Sequence, residues 1–156
     1  MLDSLLTAIP VDLAASHGLL MLVFFLGTAL LVGLCVPGVL IPLATTSGAL
    51  IGPWAAAAMV GLGALAGSQL MFVATRRIAG DRVRAKVGKQ LQWFEQRIAT
   101  NGWWQIVALR LVGAPHFLVT GCSALLPVRS SAFAAATLVG MAPAIILASL
   151  AGSAVA

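Results

Sequence analysis

LAASHGLLMLVFFLGTALLVGLCVPGVLIPLATTSGALIGPWAAAAMVGLGALAGSQLMFVAT, residues 13–75, runs for 63 residues without one Asp, Glu, Lys or Arg. One bilayer crossing takes about 20 apolar residues, so the stretch holds enough for up to three passes. Around it the composition is of the same kind. Hydrophobic residues make up 61% of the 156-residue chain and charged residues 8%, against about 25% charged in a soluble domain. Too few charges remain for a water-soluble surface, and the chain reads as an integral membrane protein.

Breakers divide the stretch. His17 to Cys35 is a Leu-rich run about one span long. Val36-Pro37-Gly38 interrupts it, because Pro removes a backbone donor and Gly frees the backbone. Val39 to Gly52 is apolar but only 14 residues long, with Pro42 inside and Thr45-Thr46-Ser47-Gly48 at its middle. At about 1.5 Å per residue it is short for a crossing. It reads as a re-entrant hairpin broken at Gly48, with Thr45, Thr46 and Ser47 capping the freed backbone; a kinked ordinary helix is the alternative. Gly52-Pro53 ends that unit, and Trp54 to Thr75 is long enough to span. Gly48/Gly52 and Gly63/Gly67 have the GxxxG spacing that lets helices approach closely and permits a homodimer.

The net charge is +5, and seven of the nine Lys and Arg residues lie between Arg76 and Arg97. That clustering excludes a general nucleic-acid surface and fits a cytoplasmic juxtamembrane segment. Arg76, Arg77, Arg82, Arg84, Lys86 and Lys89 are therefore read as contacts to anionic lipid headgroups. Leu91, Phe94 and Ile98 recur at helical spacing among Gln92, Glu95, Gln96 and Arg97, as an amphipathic interfacial helix requires. With this loop inside, 54–75 runs inward, 37–52 dips in from outside, and 17–35 runs outward from a cytoplasmic N-terminus. If 37–52 crosses fully, the N-terminus moves outside. Residues 1–16 read as a lead-in without the basic start of a signal peptide, so the first apolar run is expected to be retained.

The second half opens at Trp103. Its first apolar segment, Gln105 to Leu126, carries Arg110 and His116 and is broken by Gly113, Pro115 and Gly121. A polar break follows at 127–131, and Ala132 to Val155 spans with a kink at Pro143. The halves resemble each other. Trp54 and Phe133 each open a span and have a Gly seven positions later, Gly61 and Gly140. Interrupted segments in matching places of two halves point to a transport site between repeats. The expected fold is all-α: spanning helices plus two opposed re-entrant hairpins in an inverted pseudo-repeat, with a cytoplasmic amphipathic helix. Cys35 and Cys122 are far apart, no metal-ligand cluster is visible, and no cofactor is implied.

The order Pro37-Gly38, Gly48-Ala49-Leu50-Ile51-Gly52, Gly67 through Phe72, Arg76-Arg77 and Gly80 resembles the DedA/VTT superfamily of SNARE-associated-type membrane proteins. So does Arg110-Leu111, Pro115, Phe133, Thr137, Gly140 and Pro143. The resemblance covers roughly residues 30–155 and is nearest the Tvp-type branch, which makes 1–156 a single VTT-like membrane domain: lead-in 1–16, first half 17–79, basic segment 80–102, second half 103–156. It implies opposed re-entrant hairpins and a role in moving lipids between leaflets, by scrambling phospholipids or returning a polyprenyl-phosphate carrier. It also implies the plasma (inner) membrane if the source is bacterial. Some family positions differ here. No acidic residue lies between Asp12 and Asp81, which argues against proton coupling through an embedded carboxylate. Gly113, His116, Thr120 and Ala124 stand where relatives often carry Pro, Arg, Asn and Gly.

Arg110 is the sharpest candidate. An Arg at mid-membrane costs about 2.5–3.5 kcal/mol on insertion scales, so it faces a cavity or a partner. Its guanidinium fork suits a lipid phosphate; snorkelling to headgroups is the structural alternative. His116 can donate to phosphate or carry a proton, or serve as a satisfied polar group in the turn. Thr45, Thr46, Ser47 and Gln69 complete the candidate phosphate site, Gln69 with a helix–helix bond as its alternative. No Ser-His-acid set, HExxH, Walker loop or carboxylate pair supports enzymatic chemistry. The leading expectation is translocation of a phosphate-bearing membrane lipid. A small-solute or ion-coupled transporter and a non-transporting scaffold are the rivals.

Overall fold

The computed structural model describes residues 2–79, 81, 82, 85, 92, 96 and 102–155, and among them every regular element is helical. Helix α1 covers Leu2–Gly33, α2 Leu40–Ile51 and α3 Pro53–Ala74, which a π-helical turn at Thr75–Ala79 extends. Residues 102–111 form α4, His116–Leu125 α5 and Ser130–Val155 α6. Three stretches are long and apolar enough to cross a membrane: Ala15–Gly33, Pro53–Ile78 and Ser130–Val155. Helix α1 takes in residues 2–16 of the lead-in and continues into the first apolar run without a break. Arg84, Lys86, Lys89 and the apolar stripe at Leu91, Phe94 and Ile98 lie outside the described residues.

Two bends of one design interrupt the helices. After α1, Cys35 takes the left-handed conformation with φ 62°. The Cys35 N–H bonds the Val32 carbonyl, and the Val36 N–H reaches back to Leu31, each at 3.0 Å. After α4, Gly113 has φ 80°, its N–H bonds Arg110 at 3.2 Å, and the Ala114 N–H reaches back to Leu109 at 2.9 Å. Both are Schellman caps, which satisfy the last carbonyls of a helix. A proline, Pro37 or Pro115, follows each and prevents the helix from resuming.

The breaks at Gly48 and Gly121 did not form. Gly48 lies inside α2 and Gly121 inside α5. Helix α2 therefore holds no turn of its own; the chain turns at 34–38, before α2 begins. Glycine in a membrane helix marks close approach as readily as a break, and Gly48 serves the former purpose. A Cβ on Gly48 would overlap the Ser149 carbonyl, and one on Gly152 would overlap that of Thr45. Helices α2 and α6 thus touch backbone to backbone at two reciprocal glycines.

Helix α1 lies along α3 in the same direction. Gly63 of α3 sits against Phe25 and Thr28, and Gly67 against Ala29 and Val32. This overturns the expectation that 17–35 and 54–75 run oppositely: α2 returns the chain between them, so α1 and α3 share a direction. Gly33 meets Gly67 and Leu70, and His116 meets Ser68. Both bends accordingly stand at one height beside α3, well inside its apolar length. Helix α6 runs against α3, with Phe72 and Phe133 stacked at 4.6 Å between centroids. Leu19, Leu22, Val23, Leu26 and Leu30 form an exposed apolar ridge on α1, as a lipid-facing surface requires.

Candidate functional site

The two bends face each other across a cavity of about 400 Å³. Residues Val36 to Ile41 form one wall and Gly113 to His116 another, while Gly140, Met141, Ala144 and Ile145 of α6 close the third. Into this apolar chamber project Arg110 and His116.

Arg110 is held by neutral groups. Its Nη1 donates to His116 Nδ1 at 2.8 Å and lies 3.5 Å from Met141 Sδ, and its Nη2 donates to Thr120 Oγ1 at 3.3 Å. The guanidinium carbon sits 5.5 Å from the Phe133 ring centre, a cation–π distance. Its buried Nε has no partner among the described residues. The chain contains no Asp or Glu after Glu95. Gly140 makes room for the Arg110 stem: a Cβ there would lie 2.8 Å from Arg110 Cβ.

These contacts fix the histidine tautomer. Arginine can only donate, so His116 Nδ1 must accept. The proton therefore sits on Nε2, which donates to Ser68 Oγ at 3.2 Å. Ser68 in turn donates to the Ala64 carbonyl at 2.6 Å. Every bond from Arg110 to Ala64 points the same way, and the imidazole is neutral.

Helix ends add to the field. Helices α2 and α5 both begin at the cavity, and Leu40, Ile41 and His116 of their first turns line it. First-turn N–H groups have no intrahelical acceptor, and the helix dipole is positive there. A chamber with one guanidinium and two helix N-termini favours an anion.

The other candidates stand elsewhere. Thr45 and Ser47 bond the carbonyls of Ile41 and Leu43 within their own helix, and Thr46 is exposed. Gln69 donates to the Ser130 carbonyl and accepts from its hydroxyl, each at 3.0 Å, clasping α3 to the start of α6. Arg76 donates to the carbonyls of Ala124, Leu126 and Val128 at 3.1, 2.7 and 3.1 Å. It thereby caps the end of α5. The π-helical turn places Arg76 where those carbonyls converge. Arg77 and Arg82 are exposed. Ser68, Thr120, Met141 and Phe133 hold Arg110 and His116, and none of the four was among the expected site residues. Thr120, four residues after His116, was the one carrying a signal, since i,i+4 residues share a helix face. Among the described residues no group of three His, Cys, Asp or Glu could hold a metal.

A helical protein with an apolar exterior, three helices fit to cross a bilayer and a buried basic chamber belongs to the polytopic membrane proteins. Within that class, residues 36–154 match the VTT domain, and the chain is a member of the DedA/VTT family. No curated protein and no solved structure matches it.

Proposed function

We propose that this protein lets a phosphate-bearing lipid cross between leaflets without an energy source of its own. The observation that carries the reading is Arg110: a guanidinium with only neutral partners, in a chamber where two helix N-termini begin. An uncompensated charge in such surroundings is costly, and a phosphate supplies the missing counter-charge with matching fork geometry.

In this reading α1–α2 and α4–α5 are re-entrant arms from opposite faces, related as an inverted pseudo-repeat nearest the Tvp-type branch. The shared cap-then-proline design and the common height of the two bends support it. The basic segment 76–97 lies on the cytoplasmic side, by the bias of Lys and Arg, so α1 begins on the far side. In a bacterium the membrane is the inner one. Two bends meeting near mid-bilayer shorten the apolar barrier. The headgroup passes through the chamber while its tails stay in lipid.

The test is reconstitution in liposomes containing fluorescent phospholipid, with dithionite added outside. Bleaching well beyond the outer-leaflet half, lost in Arg110→Ala, supports the reading. Bleaching that stops at half for the wild type, with no transfer of polyprenyl phosphate either, rejects it.

A further inference from the structure

A second opening of about 440 Å³ runs between α3 and α6. Ala57, Ala58 and Ala142 line it with Leu62, Leu138 and Ile146, and the buried Thr137, Met141 and Ile145 lie deepest. Trp54, 71% exposed, stands at one end. Leu62 and Leu138 are exposed as well, and both helices are fit to cross the bilayer. What fills a groove of this kind in a membrane is hydrocarbon.

Two features tie the groove to the chamber. Met141 and Ile145 line both, and they form the ridge of α6 between them. Gly140 and Ala144 face the chamber on one side of that ridge, and Leu138 and Ala142 face the groove on the other. The ridge is one flexible thioether deep at Met141, whose sulfur lies 3.5 Å from Arg110 Nη1. Moreover, Thr137 lines the groove, is 1% exposed, and its hydroxyl has no partner among the described residues. A buried hydroxyl left unpaired is costly, and the ester or phosphate-linked oxygen of a lipid is a fitting acceptor.

The geometry points to the α3–α6 groove as the tail site of the lipid whose phosphate is held at Arg110, with Met141 as the movable partition between head and tail. This rests on the lipid-phosphate reading above and makes the substrate a long-chain amphiphile. From Trp54 to Leu62 the groove extends about 12 Å at 1.5 Å per residue, so a chain of several methylenes is needed to occupy it. A water-soluble phosphate ester lacks that anchor.

The experiment uses the purified chain in nanodiscs of neutral lipid with two photoreactive phosphatidate probes. One carries its diazirine near the phosphate, the other midway along an acyl chain. Attached peptides are located by mass spectrometry. The expected result is head-probe labelling within 110–116 and tail-probe labelling within 137–146. Both labels should fall at least fivefold in Arg110→Gln. Glycerol phosphate should compete at least a hundredfold less well than unlabelled phosphatidate. Leu138→Trp, at an exposed position, should remove groove labelling and keep the head label. Head labelling without groove labelling overturns the tail site and leaves the phosphate site standing. Groove labelling that survives Arg110→Gln, with the protein folded by thermal melting, also overturns it, since the groove then holds bulk lipid. Absence of head labelling rejects the phosphate reading itself.

Discussion

Arg110 and His116 are joined through Nη1 and Nδ1 at 2.8 Å, and that one bond determines where the imidazole carries its proton. A histidine facing a fixed guanidinium donor stays neutral, because a second proton would sit on Nδ1 against another N–H. As the acceptor for Nη1 it holds the guanidinium in place. His116→Leu should leave a buried charged donor unmatched and lower stability by about 1–3 kcal/mol. His116→Asn, whose amide oxygen can accept, should recover part of that loss. Thermal unfolding in detergent reads both; equal melting of Leu and wild type would remove the orienting role.

Gly140 positions the same arginine from the other side. Gly140→Ala should push the Arg110 stem away and slow lipid translocation about tenfold, equivalent to 1.4 kcal/mol of barrier. Gly27 has nothing within 4 Å of an added Cβ, so Gly27→Ala should leave the dithionite rate unchanged. Identical rates for the two variants would argue against positioning by Gly140.

The reciprocal contact of Gly48 and Gly152 should be unforgiving. Alanine at either requires the backbones of α2 and α6 to separate, at about 1–3 kcal/mol each. Because one separation makes room for both methyls, the double variant should cost less than the sum. Strict additivity in melting would mean that the two sites are independent.

Arg76 and its neighbour offer a contrast. Arg76→Ala strips three carbonyls at the end of α5 of a charged donor and should cost about 2–3 kcal/mol. Arg77 is exposed, and Arg77→Ala should stay within about 0.5 kcal/mol of wild type. Equal effects would show that charge at this end matters, and not the cap.

Cys35 takes a left-handed φ of 62° that costs an ordinary L-residue about 1–2 kcal/mol. Cys35→Gly should raise the melting temperature, with a gain of up to about 1 kcal/mol once the added freedom of the unfolded glycine is counted. Cys35→Val should lower it. A Gly variant that melts below wild type would mean that the contact of Cys35 Sγ with Met71 Sδ, at 3.2 Å, outweighs the backbone strain.

Local signals carried the spans and the bends. The uncharged run from Leu13 to Thr75 announced the membrane, and Pro37, Gly113 and Pro115 marked interruptions, because proline and glycine act on their own backbone. Gly48 misled for the same reason: inside lipid a glycine can break a helix or let another helix close in, and here α6 closes in on it, while Gly121 stays inside α5. Direction was hidden too, since the shared heading of α1 and α3 depends on α2 returning the chain. Arg110 and His116 were legible as polar residues in an apolar segment. Their supports were not. Ser68 and Met141 lie 42 and 31 positions from Arg110, and a single hydroxyl or thioether in an Ala- and Gly-rich helix carries no signature of its own. Arg76 looked like a headgroup anchor because its three acceptors belong to a segment about 50 residues later.

The uncompensated guanidinium has an electrical consequence. A fixed positive charge in a low-dielectric chamber raises the energy of every other cation that enters it. In the proposed arrangement, hydronium, sodium and potassium would meet that barrier at the chamber between the two bends. If the chamber is the proposed passage, a route that admits phosphate would stay closed to the ions whose gradients a membrane holds, and lipid would be exchanged between leaflets without an ion leak.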